Sequence, residues 1–68
     1  LWRVVQRKLK MLDVAATLDD LKSPPGNRLE ALRGQLKGRH SIRVNEQYRL
    51  TFQWRNGHAF EVAVEDYH

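Results

Sequence analysis

There is no cysteine among the 68 residues of the chain. That absence removes disulfide staples, thiolate nucleophiles and every cysteine-ligated zinc site, and it fits a reducing compartment, so a cytoplasmic location is expected. Long apolar runs are lacking as well. The longest, residues 14–16 and 62–64, are three residues, far below the ~20 that a bilayer-spanning helix requires, so no membrane is expected as a partner. The three histidines, His40, His58 and His68, are scattered and no pair has helical metal-ligand spacing, so no metal is expected. Glycine-rich phosphate loops are absent, no cofactor is expected, and Ser41 and Thr51 lack a His-plus-carboxylate partner by spacing. Acidic side chains are outnumbered: 12 Lys+Arg stand against 8 Asp+Glu, a formal charge of +4. That balance favours an anionic partner such as nucleic acid.

The length allows one small domain over residues 1–68, and a chain of this size buries only about 60% of its unfolded surface. Hydrophobic residues make up 41% and charged residues 29%, values of a folded chain. Leu1, Val4, Val5, Leu9 and Leu12 recur at helical spacing with Arg3, Arg7 and Lys10 opposite, which predicts an amphipathic helix ending at residues 13–16. Thr17-Leu18-Asp19-Asp20 has the form of a capping box opening one short helical turn. Ser23-Pro24-Pro25-Gly26 then reads as an extended connection. From there the apolar pattern alternates residue by residue. Ile42 and Val44, then Tyr48, Leu50, Phe52 and Trp54, then Phe60, Val62 and Val64 predict three strands with one apolar and one wet face. Asn56-Gly57 predicts a type I′ hairpin turn between the last two. The expected fold class is α+β, a small antiparallel sheet packed against the N-terminal helix. One helix on three strands is a thin core, and an additional strand or helix preceding Leu1 in the parent protein is expected.

Positive charge is clustered. Residues 1–12 carry four cations and no anion, while residues 28–49 carry Arg28, Arg33, Lys37, Arg39, Arg43 and Arg49 against Glu30 and Glu46. Arginine's planar fork matches phosphate oxygens in a bidentate way, so the second cluster is a candidate anion-binding concavity. A solvated cationic face accounts for the same residues. The last four residues, Glu65-Asp66-Tyr67-His68, gather four proton-transfer groups, unless they are only a frayed acidic tail. Cleavage of RNA by its own 2′-hydroxyl needs a base, an acid and fixed positive charge on the phosphate, and all three kinds of group are present. His40 and His58 read as loop residues without a catalytic task.

The run Pro24-Pro25-Gly26-Asn27-Arg28-Leu29-Glu30-Ala31-Leu32-Arg33-Gly34, with Ser41-Ile42-Arg43-Val44-Asn45, Gln47-Tyr48-Arg49-Leu50 and Val64-Glu65-Asp66-Tyr67-His68, resembles the HigB toxins, a branch of the RelE-like superfamily of type II toxin–antitoxin modules. The resemblance covers essentially the whole chain. It implies a RelE-like fold whose usual N-terminal strand and first helix precede this chain. It also implies a ribosome-dependent endoribonuclease that cuts mRNA at the A-site codon by metal-independent 2′-hydroxyl attack. The implied partners are the ribosome, mRNA, and a HigA-type helix-turn-helix antitoxin through which operator DNA is reached indirectly. By the same resemblance Arg49 stabilises the scissile phosphate and Arg33 is a basic loop position holding phosphate. Asp66, Tyr67 and His68 form the catalytic group, with Tyr67 against a codon base and His68 as acid or base. Some members of the family have a histidine where this chain has Glu30, whose carboxylate either serves as base or pairs with Arg28 or Arg33. Arg28, Lys37, Arg39 and Arg43 complete the expected RNA-binding set.

Two alternatives remain at this level. A non-catalytic RNA- or antitoxin-binding protein would use the same basic face without turnover, and salt-sensitive binding without cleavage would select it. A small interaction domain would offer its helical stripe to a partner helix and show no RNA affinity.

Overall fold

Helix α1 runs over Trp2–Val14, close to the predicted span. The structure, a computed structural model, describes residues 1–66, and Tyr67 and His68 fall outside the described residues. Val5, Lys8 and Leu12 are buried on one side of α1, flanked by half-buried Val4 and Met11. Two members of the expected stripe differ: Leu1 sits at the cap, and Leu9 lies on the flank facing the last strand, where both are exposed. Lys8 takes a place in the stripe because its ammonium finds a partner inside. It donates to Oδ1 of Asn27, which has no exposed surface, and Asn27 Nδ2 donates in turn to the carbonyls of Leu21 (3.1 Å) and Ser23 (3.4 Å).

After α1 the predicted capping box is present. The Asp20 carboxylate accepts from the backbone N–H of Thr17 (3.0 Å) and Ala16 (2.9 Å), opening a 3₁₀ turn over Leu18–Lys22 that buries Leu21. The expected extended connection is instead a second 3₁₀ turn, Pro25–Asn27, which follows a cis Ser23–Pro24 bond and ends with Arg28 in the left-handed region (φ 46°, ψ 57°). Proline at the first helical position has its φ preset and lacks only an N–H that would go unused, so the two prolines tolerate this turn.

Four strands follow: β1 (Glu30–Ala31), β2 (Arg39–Arg43), β3 (Tyr48–Arg55) and β4 (His58–Asp66), paired antiparallel in that order. Two-residue β1 is too short to show a period, which is why three strands were expected. Asn45 Oδ1 caps the β2–β3 turn by accepting from the N–H of Gln47 and Tyr48, both at 2.8 Å. Asn56 (φ 53°) and Gly57 (φ 78°) form the predicted tight turn between β3 and β4, where a positive φ is required at both positions. On the sheet face toward α1, Ile42, Leu50 and Phe52 are fully buried with Val5, Leu12, Leu21 and Val44. Trp54 meets Phe52 edge-on and His40 stacks on it, so His40 and His58 are strand residues rather than loop residues.

Two expectations for the sheet are corrected. The face away from α1 is not uniformly wet, since Ser41, Arg49 and Thr51 are buried there. Strand β4 also does not keep one phase. Thr51 pairs with Ala63 but Gln53 pairs with Phe60, so a bulge with Glu61 at φ 50° interrupts the register. Phe60 therefore leaves the face of Val62 and Val64 and joins that of Gln53. Val62 and Val64 stay on the helix side but are only part-covered, and Val62 borders a cavity of about 190 Å³ lined also by Leu9, Leu12, Asp13, His58 and Ala59. Among the described residues no helix is long and apolar enough to cross a membrane.

Candidate functional site

Opposed residues in a sheet share a face, so the register assembles the second face row by row. Glu30, Ser41, Thr51 and Ala63 form one row across the four strands. Arg43, Arg49 and Glu65 form the next toward one end, and Arg39, Gln53 and Phe60 the next toward the β3–β4 turn. Five residues of the sequence-predicted site or its neighbourhood are thus brought onto one surface: Glu30, Arg39, Arg43, Arg49 and Glu65.

Arg49 sits at the centre of this surface and is only 6% exposed. Its Nε donates to Ser41 Oγ at 2.8 Å, and its Nη2 donates to the carbonyl of Arg28 at 2.6 Å and that of Ser41 at 3.5 Å. The left-handed turn at Arg28 delivers that carbonyl, so the Pro-Pro-Gly-Asn-Arg run contributes backbone to the site. A guanidinium held by Ser41 and the Arg28 carbonyl loses its rotamer freedom, which is the preorganisation that binding of an oxyanion rewards. Arg28's own side chain is exposed.

Arg39 is committed differently. Its Nη2 donates to Thr51 Oγ1 (3.2 Å) and to the Glu61 carbonyl (2.6 Å), and its Nη1 lies 3.5 Å from Glu61 Oε2. It braces β3 to the β4 bulge. Leu36, Arg39, Thr51, Glu65 and Asp66 line a cavity of about 460 Å³ on this side. Leu36 ends the 3₁₀ turn Gly34–Leu36, so the loop between β1 and β2 bounds the cavity, and its exposed Arg33 and Lys37 flank Leu36 in sequence. Asp66 is opposite Tyr48, hence on the alternate phase to Arg49, and its carboxylate accepts from Gln47 Nε2 at 3.2 Å. Tyr67 and His68, also expected in the site, lie outside the described residues.

Ser41 and the Arg28 carbonyl belong to the site and were not singled out from the sequence, whereas Glu65 was named there only among the terminal proton-transfer groups. Ser41 and Arg49 are eight residues apart, and only the β2–β3 register makes them neighbours. Alternation of Ser41 and Arg43 against Ile42 did place them on a common face, which was the one available signal.

Fold and site together define a small α+β domain whose sheet presents a clamped arginine beside carboxylates, with a basic loop at its edge. Its family follows from comparison with known proteins. All of residues 1–68 match the HigB-like toxin family, described as RelE-like toxin of type II toxin-antitoxin system HigB, and the chain belongs to that family. It is 56% identical over 59 residues to Toxin HigB-1 of Vibrio cholerae, an alignment covering 87% of this chain and 62% of the relative. Against an uncharacterized protein of Haemophilus influenzae the identity is 45% over 56 residues, covering 82% of this chain and 55% of that protein. Endoribonuclease HigB of Proteus vulgaris is 34% identical over 64 residues, with 94% of this chain and 68% of the relative covered. The chain thus spans about three fifths of the length of these relatives.

Proposed function

We propose that this chain carries the catalytic face of a toxin that cleaves mRNA on the ribosome, cutting A-site codons without a metal and held in check by a HigA-type antitoxin. The observation that carries the reading is Arg49, a buried guanidinium held by Ser41 and the Arg28 carbonyl at the centre of a basic face. The name of the Proteus vulgaris relative, an endoribonuclease, supports it.

In this reaction the 2′-oxygen attacks the adjacent phosphorus as a base removes its proton. The P–O5′ bond breaks as an acid protonates the leaving oxygen, yielding a cyclic phosphate and a free 5′-hydroxyl. Negative charge accumulates on the non-bridging oxygens in between, and Arg49 is placed to stabilise it. Arg33, Lys37 and Arg43 supply further attraction for the RNA backbone, whereas Arg39 serves through the brace to β4 and the exposed Arg28 chiefly through its carbonyl. His68, Tyr67, Asp66 and Glu30 are the candidates for proton transfer; Glu30 shares the face of Arg49, and Asp66 ends the strand that leads to Tyr67 and His68.

Primer extension on a defined mRNA in a reconstituted translation reaction tests the proposal. Cuts within A-site codons are expected with the protein, absent when ribosomes are omitted and absent with Arg49→Ala. Ribosome-independent cuts, or cuts unchanged by Arg49→Ala, would overturn it; RNA binding without any cut selects the non-catalytic binding protein.

A further inference from the structure

The bulge in β4 does more than interrupt a ladder. Continued alternation would place Phe60 with Val62 and Val64 on the helix side, where apolar surface belongs. Instead Glu61 adopts a left-handed backbone conformation (φ 50°), an uncommon state for a residue with a long side chain, and Phe60 is turned onto the face of Arg49. The bulge is held in place: Arg39 reaches across β3 to the Glu61 carbonyl at 2.6 Å and the Glu61 carboxylate at 3.5 Å. Once re-aimed, the ring remains 39% exposed. The Arg55 guanidinium lies 5.2 Å from its centroid, and the His58 ring meets it edge-on at 6.4 Å. Arg55 and His58 are a directly opposed pair at the hairpin end, so all three side chains share the face of Arg49.

We infer that Phe60, with Arg55 and His58, forms a stacking subsite for a nucleobase of single-stranded RNA, on the same strand as, but beyond, the phosphate held at Arg49. This deepens the function proposed above and rests on it. An aromatic ring beside a guanidinium is the surface on which unpaired bases stack, and it accepts any base because every base has a π-face. The charge of the face favours this occupant: Arg43, Arg49 and Arg55 stand on it, with Arg39 paired to Glu61, against Glu30 and Glu65, and an RNA strand brings the complementary charge along with its bases. Gln53 lies four residues from Arg49 along β3, which puts the Phe60 row about 13 Å from Arg49 at ~3.3 Å per residue. The subsite therefore reads a base flanking the scissile step rather than the base that is cut beside.

Binding of the protein to a single-stranded RNA of about eight nucleotides, with 2-aminopurine moved through it one position at a time, tests the subsite. In one register the fluorescence is expected to be quenched, and Phe60→Leu is expected to abolish that quenching and weaken binding about tenfold, in line with the loss of one stacked base. Phe60→Trp restores both. Phe60→Leu leaves the slope of affinity against salt unchanged, because it removes no phosphate contact, whereas Arg49→Ala makes the slope shallower. Replacing the quenched base by an abasic residue makes the parent and Phe60→Leu bind alike. If Arg49→Ala weakens binding while Phe60→Leu and the abasic RNA change nothing, the subsite is refuted and the proposed function stands. If the parent does not bind this RNA at all, the subsite is refuted, and the proposed function is decided separately by the cleavage reaction on ribosomes. A Phe60→Leu protein that binds RNA normally but no longer binds its antitoxin would show the patch to be a protein interface and overturn the inference.

Discussion

At the scale of single residues, Ser41 and Lys8 show how buried polar groups are satisfied at a distance. Ser41→Ala would leave the Arg49 Nε buried without its 2.8 Å acceptor. A loss of about 1–3 kcal/mol of stability is expected, the usual cost of removing one partner of a buried hydrogen bond, and urea unfolding measures it. Cleavage is expected to fall further than the lost stability explains, with Ser41→Thr restoring it, because a loosened guanidinium no longer meets the phosphate in one orientation. Lys8 is the opposite case, a cation tolerated inside. Burial first, then the neighbouring charges of Arg7 and Arg43, hold its ammonium below its ordinary value of 10.5. Between the folded and unfolded values the unfolded chain binds more protons, so Lys8 costs stability in full below its folded value. That cost is relieved as pH rises through the folded value toward 10.5. Measured against Lys8→Met in parallel urea titrations, the parent is expected to gain relative stability as the solution is made alkaline.

Among the elements, the 3₁₀ turn after α1 and the β4 bulge are each held by one side chain. The N–H groups of Thr17 and then Ala16 keep the Asp20 carboxyl below its ordinary 3.8. A depressed carboxyl contributes stability above its unfolded value and loses it as pH falls through the folded one. Asp20→Asn is therefore expected to lower the melting temperature at neutral pH, with the difference from the parent vanishing in acid. At the bulge, Arg39→Met removes three polar contacts, among them a 2.6 Å bond to the Glu61 carbonyl. About 2 kcal/mol of destabilisation is expected in urea, given that hydrogen bonds to charged groups contribute roughly 1.5–3 kcal/mol and this one is partly solvated. Amide exchange at residues 60–62 is expected to quicken as the bulge loosens.

For the whole molecule, the core is small enough that one ring decides folding. A domain of this length is held by only about 3–10 kcal/mol in total, at ~0.05–0.15 kcal/mol per residue. Phe52 is fully buried between His40 and Trp54 on the helix-side face. Phe52→Ala is expected to cost about 3–5 kcal/mol, enough to leave much of the population unfolded at 37 °C by circular dichroism. The two sheet faces divide the labour: one packs on α1, and the other gathers charge around Arg49. That division keeps most of the charge off the helix-side core, where Lys8 against Asn27 is the exception.

The α1 span, the capping box, the Asn56-Gly57 hairpin and the α+β class were all legible in the sequence, because each rests on contacts within a few residues or on a repeating apolar period. The motifs that end in Glu65-Asp66-Tyr67-His68 likewise disclosed the family, and Arg49 was legible as a candidate through them. Tertiary structure alone decided that Ser41 and the Arg28 carbonyl clamp Arg49, that Lys8 lies inside against Asn27, and that Phe60 faces the charged side. Each of those depends on strand register, a left-handed residue or a single inserted position in a ladder. A one-residue slip exchanges the two faces of a strand, and the energy that sets it is spread over long-range packing rather than carried by any local pattern.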